Sequence, residues 1–241
     1  MSVTQKKRAL ITGASSGIGK ATALAFAKAG IDVALVSRSA EKLEAVAVAA
    51  RHAEVTAKAY TVDLACVALV QEKMQAIASD FGDIDILVNN AGMAYTNNLS
   101  ETPLSDWQQV IDLNLTSVFQ CTMGILPSMR DRRTGTIINV ASIAGKQPFA
   151  GWGAYSVSKA ALIAFSQTLA QEERAHGIRV TAICPGAVNT ELWDTETVRV
   201  NLERSNMLTP EIVAESILYT ALLPQQAVVD ELILMPSTGI L

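Results

Sequence analysis

The chain has 241 residues and a formal net charge of −4, and its only compact basic run is Lys6, Lys7 and Arg8, so it lacks the electrostatic footprint of a nucleic-acid binder. Half of its residues are apolar, mostly Ala, Val, Ile and Leu, yet no run approaches the ~20 needed to span a bilayer, and Ala9–Ile11 is too short for a signal-peptide core. Cys66, Cys121 and Cys184 are scattered and form no CxxC, so neither a disulfide framework nor a zinc site is indicated, and a reducing cytoplasmic compartment is expected.

The opening reads strand, turn, helix. Arg8–Thr12 is a short apolar strand, and Gly13, Ser15, Ser16, Gly17, Ile18 and Gly19 make a Gly-rich turn. Lys20 to Ala29 then carries a helix that stops at Gly30 before a second strand, Asp32–Val36. In this βαβ context such a turn lets the backbone approach a pyrophosphate, and the helix N-terminus offers it free N–H groups. The second strand runs into Ser37, Arg38 and Ser39 with no acidic residue until Glu41. A dinucleotide site for NAD commonly places a carboxylate there, whereas an arginine accommodates the 2′-phosphate of NADP. Arg38 therefore points to NADP(H), and Ser39 also suits a helix N-cap.

A helix from about Ser39 to His52 leads to a third strand, Thr56–Val62, which ends at Asp63 and Leu64, where an adenine contact and a helix cap compete. After a helix from about Val67 to Phe81, a fourth strand, Asp85–Asn89, runs into Asn90, Ala91 and Gly92. Two amides at a strand end need partners, and a ligand crevice at the strand carboxyl ends supplies a reason for them. Thr102 and Pro103 read as N-cap and first position of a helix running toward Met123, with Asn114 among apolar residues at its middle. Such an amide needs a hydrogen-bonded network or a task.

The fifth strand, Thr136–Ala141, enters a Gly-rich bend at Ser142, and a helix from Ala154 to His176 follows. Tyr155 and Lys159, four apart, share one face of that helix. A phenol beside an ammonium is a plausible proton donor, its pKa expected to be lowered by the positive charge, and the Ser142 hydroxyl can hold a carbonyl oxygen across the bend. A sixth strand, Arg179–Cys184, ends in Pro185, Gly186, Val188 and Thr190. Glu191–Leu208 lacks clean periodicity and is expected to form a flap over a site at about 187–208. A final helix from about Thr209 to Leu223 and a seventh strand, Glu231–Met235, complete the chain. Strands alternating with helices, with no linker or repeat, predict one Rossmann-type domain over 1–241, a doubly wound, seven-stranded parallel α/β sheet with helices on both faces. His52 and His176 fall near helix ends, which argues against a Ser-His-Asp hydrolase.

Taken together these residues resemble the short-chain dehydrogenase/reductase family, in its single-domain, NADP-preferring branch. The cofactor turn Thr12-Gly13-x3-Gly17-Ile18-Gly19, the Asn89-Asn90-Ala91-Gly92 motif, the tetrad Asn114, Ser142, Tyr155 and Lys159, and the Pro185-Gly186-x-Val188-x-Thr190 segment all match. The resemblance covers nearly the whole chain. It implies hydride transfer between a nicotinamide and a carbonyl or alcohol carbon. Tyr155 would be proton donor, Ser142 would align the carbonyl, and Lys159 would bind the nicotinamide ribose and depress the tyrosine pKa. Asn114 would anchor a water in a proton relay. It also implies Asp63 and Leu64 near adenine, Asn90 near the adenosine ribose, Thr190 at the carboxamide, and assembly into a homodimer or homotetramer. Some NADP-preferring members carry a second basic residue inside the turn, where this chain has Ser15 and Ser16. The chain ends Met235-Pro-Ser-Thr-Gly-Ile-Leu241 rather than in the Asp-Gly-Gly usual among fatty-acid reductases, which favours small ketones, aldehydes or hydroxy acids over acyl-carrier thioesters. An NADPH-dependent carbonyl reductase is the leading expectation. A 3-oxoacyl-thioester reductase, an oxidising alcohol or hydroxy-acid dehydrogenase, and a non-catalytic NADP(H) sensor or scaffold are the alternatives.

Overall fold

Short runs rich in Val, Ile, Leu and Ala form seven strands in the computed structural model, which describes residues 6–200 and 203–239. They are β1 (Arg8–Thr12), β2 (Asp32–Ser37), β3 (Ala57–Thr61), β4 (Ile86–Asn89), β5 (Gly135–Val140), β6 (Ile178–Pro185) and β7 (Glu231–Leu234). All pair in parallel in the order β3-β2-β1-β4-β5-β6-β7. The helices that cross between them are α1 (Gly17–Lys28), α2 (Ala40–Arg51), α3 (Val67–Phe81), α4 (Leu104–Ile111), α5 (Ser117–Arg132), α6 (Gly153–Glu173) and α7 (Pro210–Leu222). The predicted doubly wound α/β sheet is the observed one.

Alternation along β1 shows how the sheet is covered on both faces. Ala9 and Ile11 pack with Phe26 of α1, Leu43 of α2 and Ile217 of α7, whereas Leu10 packs with Met74 of α3 and Ile125 and Met129 of α5. Each large aliphatic side chain withdrawn from water in this way contributes roughly 1.5–3 kcal/mol. β1 sits between β2 and β4, so the chain leaves it in one direction and returns on its other side. That reversal opens a crevice beyond the carboxyl ends of β1 and β4.

Three helix boundaries differ from the sequence expectation. α1 begins at Gly17, inside the Gly-rich turn, where Gly17 itself is left-handed (φ +51°) and Gly19 packs against the Gly13 carbonyl. Pro103 rather than Thr102 occupies the N-cap of α4, and the Thr102 hydroxyl donates back to the Asn98 carbonyl at 2.9 Å. The helix expected to end near Met123 runs on to Arg132, with a π-helical turn at Asp112–Thr116 between α4 and α5.

Candidate active site

One cavity of about 810 Å³ opens at the switch point. Its floor is the junction of β1 and β4. The Thr12 hydroxyl accepts from the Asn90 and Ala91 backbone N–H groups (3.0 and 3.1 Å), and the Asn90 amide donates to the carbonyls of Thr12 and Gly13 (3.0 and 3.3 Å). A Cβ on Gly13 would lie 2.8 Å from the Asn90 amide nitrogen, and one on Gly19 would lie 2.2 Å from the Gly13 oxygen. Gly19 is thus buried beneath the turn, while Gly13, Ser15, Ser16, Gly17 and Ile18 line the cavity. Ser16 caps α1 in extended conformation without a side-chain hydrogen bond, so its hydroxyl leaves the first N–H groups of the helix free for a ligand.

Ser37, Arg38 and Ser39 line the far end of the cavity. Arg38 is exposed, and the Ser37 hydroxyl is buried with no hydrogen-bond partner among the described residues. Leu64 and Val62 line the adjoining wall, but Asp63 does not. Its carboxylate accepts from the Ala65 N–H (3.0 Å), closing the turn before α3.

At the opposite end β5 delivers Ser142, and α6 delivers Tyr155 and Lys159 to the same wall. Gly145 brings these segments together, since a Cβ there would fall 2.7 Å from the Lys159 carbonyl carbon. The Ser142 hydroxyl accepts from the Ala144 N–H (3.1 Å). Lys159 Nζ donates to the Val140 carbonyl (2.9 Å) and lies 5.8 Å from the Tyr155 ring centroid. Burial pushes the Tyr155 phenol above its ordinary pKa, with a Ser142 hydrogen bond acting the other way. The expected lowering is therefore not found. Burial also lowers the Lys159 ammonium to about 8, so the charge invoked to stabilise a phenolate is itself disfavoured.

Asn114 lies behind this wall, inside the π-helical turn, and does not line the cavity. Both of its amide N–H groups are engaged, with the Met93 carbonyl (2.9 Å) and the Ser158 hydroxyl (3.0 Å), while its oxygen accepts from the Met93 N–H (2.8 Å). A Cβ on Gly92 would lie 3.1 Å from the Asn114 oxygen, a tight contact, and at ordinary contact distance, 3.5 Å, from Lys159 Nζ, so the loop after β4 runs close against both.

Pro185 and Gly186 continue the wall from the end of β6, where the Gly186 N–H donates to the Leu234 carbonyl (2.8 Å). Val188 bridges to Leu208, closing the base of the 187–208 excursion. Thr190 caps a short 3₁₀ turn, Glu191–Asp194, and would meet a Gly17 Cβ at 3.1 Å. Thr197 ties the excursion to the loop after β4 by accepting from the Thr96 N–H (2.9 Å) and donating to the Ala94 carbonyl (2.7 Å). Residues 201–202 of the expected flap and 240–241 of the tail lie outside the described residues.

The family model for short chain dehydrogenase matches residues 7–200. The chain belongs to the short-chain dehydrogenase/reductase family. Among curated members, it is 37% identical over 228 residues to a 3-oxoacyl-[acyl-carrier-protein] reductase of Synechocystis, covering 91% of this chain and 90% of that protein. It is 34% identical to an uncharacterized oxidoreductase of Staphylococcus saprophyticus, covering 99% of both. An alcohol dehydrogenase of Thermococcus sibiricus, solved with 5-hydroxy-NADP, superimposes with a TM-score of 0.88 at 29% identity, covering 97% of both chains.

For this short-chain dehydrogenase/reductase, motif reasoning missed several residues on the same cavity. Lys42, one turn beyond Ser39 on α2, lines it beside Arg38 and pairs with Glu191 of the excursion at 3.2 Å. A basic residue one helical turn past an arginine is a detectable signal, but the pairing across 149 positions is not. Trp152 and Trp193 line the cavity beside Tyr155, and Phe149 and Met235 add apolar lining to it. Trp152 packs edge-on with both Tyr155 (5.6 Å between centroids) and Trp193 (5.8 Å).

Proposed function

We propose that this oxidoreductase is an NADPH-dependent carbonyl reductase acting between a ketone and an alcohol carbon. The observation that carries the reading is one continuous cavity with Ser142, Tyr155 and Lys159 at one end and Arg38 with the partnerless Ser37 hydroxyl at the other. The residues present fit a phosphorylated dinucleotide. The glycine cradle has no room for a Cβ at Gly13, the α1 N-terminus has no side-chain cap, and Arg38 places an exposed cation at the end where a 2′-phosphate would sit. The NADP derivative named with the Thermococcus sibiricus structure supports the same assignment.

NADPH supplies the hydride when bound. The chain's own residues do the rest. Tyr155 O–H donates its proton to the carbonyl oxygen, and a raised pKa keeps that proton in place at neutral pH. The Ser142 hydroxyl donates a hydrogen bond to the same oxygen and aligns it. Lys159, held by the Val140 carbonyl, would bind the nicotinamide ribose. Asn114 positions this machinery by bonding the Met93 backbone to Ser158 of α6. Asp63 closes the turn that holds Leu64 against the adenine side. Residues 187–208 serve as the substrate flap. Exposed apolar side chains on α5 (Phe119) and on α7 and β7 (Tyr219, Leu222, Ile233) suit assembly as a homodimer or homotetramer.

The similarity to the Synechocystis enzyme favours one second reading, a 3-oxoacyl-thioester reductase. Loss of NADPH absorbance with simple ketones, aryl ketones, β-keto esters and a 3-oxoacyl thioester separates the two. Free ketones turned over well above the thioester are the expected result, and thioester preference selects the second reading. Tyr155→Phe should lower reduction at least about a hundredfold while NADPH binding stays near normal. Steady turnover by that variant removes Tyr155 as proton donor.

A further inference from the structure

We infer that the substrate end of the cavity is shaped for an uncharged ketone carrying an aromatic ring beside the carbonyl. This rests on the carbonyl-reductase reading and adds the class of substrate. Trp152, at the N-cap of α6, stands between the Tyr155 phenol ring and Trp193 of the excursion, and all three rings meet edge to face and line the cavity. Trp193 is held through its ring and Trp152 through its backbone. Trp193 Nε1 donates to the Val188 carbonyl at 2.8 Å, and Trp152 sits in a bridge with Asn97. Phe149, Val200 and Met235 add apolar lining to the same cavity.

Charge is distributed unevenly. Among the described residues, the charged side chains on the cavity are Arg38, Lys42 and Glu191 toward the α2 end, and Lys159 at the proton donor. Lys42 and Glu191 neutralise each other. Apart from Lys159, whose ammonium lies 5.8 Å from the Tyr155 ring centroid and donates to the Val140 carbonyl, no cation among the described residues lines the aromatic end, so a carboxylate or phosphate set against the two tryptophans would be desolvated without a partner. A planar ring joins the existing edge-to-face cluster and gains contacts that depend on ring geometry beyond area alone. A saturated ring of the same size gains the area only.

The test is calorimetry on the protein loaded with NADP⁺, where ketone binds without turnover, using acetophenone, cyclohexyl methyl ketone and 4-acetylbenzoate. Acetophenone should bind about tenfold tighter than the cyclohexyl ketone, as two aromatic contacts imply, and 4-acetylbenzoate should bind more weakly than either. Trp193→Leu, which leaves one of the two contacts, should cut the preference to about threefold, and Trp152→Phe, which keeps a ring, should retain it. Equal or tighter binding of the cyclohexyl ketone, or equal binding of the benzoate, overturns the inference even if both ketones are reduced. The expected binding order without NADPH consumption by any carbonyl supports the aromatic site and overturns the reductase reading instead.

Discussion

Lys159 shows how far one buried side chain departs from its behaviour in water. Its amine titrates at about 8 in the folded chain against an ordinary 10.5. Between those values the unfolded chain holds the proton and the folded chain does not, so stability from this group rises with pH across that window and is level below about 8. The size is on the order of 3 kcal/mol. Urea melts of wild type and Lys159→Met at pH 7.5 and 10.5 check this: the gap between the two proteins should shift in favour of wild type at the higher pH. A pH-independent gap means that the amine is not desolvated. Arg38 sits in the opposite setting, exposed on the rim of the cavity. Arg38→Asp should weaken NADPH binding on the order of a hundredfold, through loss of a charge-assisted contact and added repulsion, and change NADH binding by less than about threefold. Equal losses in titrations of both cofactors remove Arg38 from 2′-phosphate recognition.

Among the elements, α5 and α6 carry much of the site's geometry, because α6 bears Tyr155 and Lys159 and α5 braces it from behind. Arg130 of α5 forms a paired ion contact with Glu173 at the end of α6, with its Nε 2.7 Å from the carboxylate. The Glu173 side chain is fully buried, whereas that of Arg130 is 46% exposed. The two truncations therefore differ. Arg130→Ala strands a buried carboxylate and should cost about 2 kcal/mol at neutral pH, whereas Glu173→Ala frees a half-exposed arginine and should cost less. The guanidinium holds the Glu173 carboxyl below its usual range, so this contribution is present above the unfolded carboxylate pKa and is lost as pH falls through the folded one. Denaturant melts of Arg130→Ala should show a deficit at pH 7 that narrows as pH falls below 4.5. A constant deficit assigns the loss to packing.

In the whole molecule, the parallel sheet places loops from distant parts of the chain at one edge. The strand and helix sequence was legible because each apolar run is short, parallel strands buried on both faces need such runs, and Gly or Pro punctuates most of them. Tyr155 and Lys159 were legible as a pair because four residues make one helical turn. Asn114 was noticed as an amide among apolar residues, but its π-helical turn was not, since an i→i+5 bond forms only when packing against Met93 and Ser158 repays it. The lowered tyrosine pKa failed for a related reason: spacing predicts a neighbour's charge but not the burial that outweighs it. Asp63 could serve as cap or ligand until the loop showed where its carboxylate turned.

Local order and chemical type belonged to the sequence by itself: seven strands, the Gly-rich entry to α1, a phenol and an ammonium on one helix face, and an arginine where a carboxylate is common. These follow from backbone propensities and short-range periodicity, which act within one or two turns of chain. Tertiary structure alone decided what those groups face. It brought Phe149, Trp152, Trp193 and Met235 onto one cavity, joined Lys42 to Glu191, left the Ser37 hydroxyl without a partner among the described residues, and desolvated Tyr155 and Lys159. Burial and long-range contact depend on the packing of elements far apart in the chain, and no short window of residues contains that information.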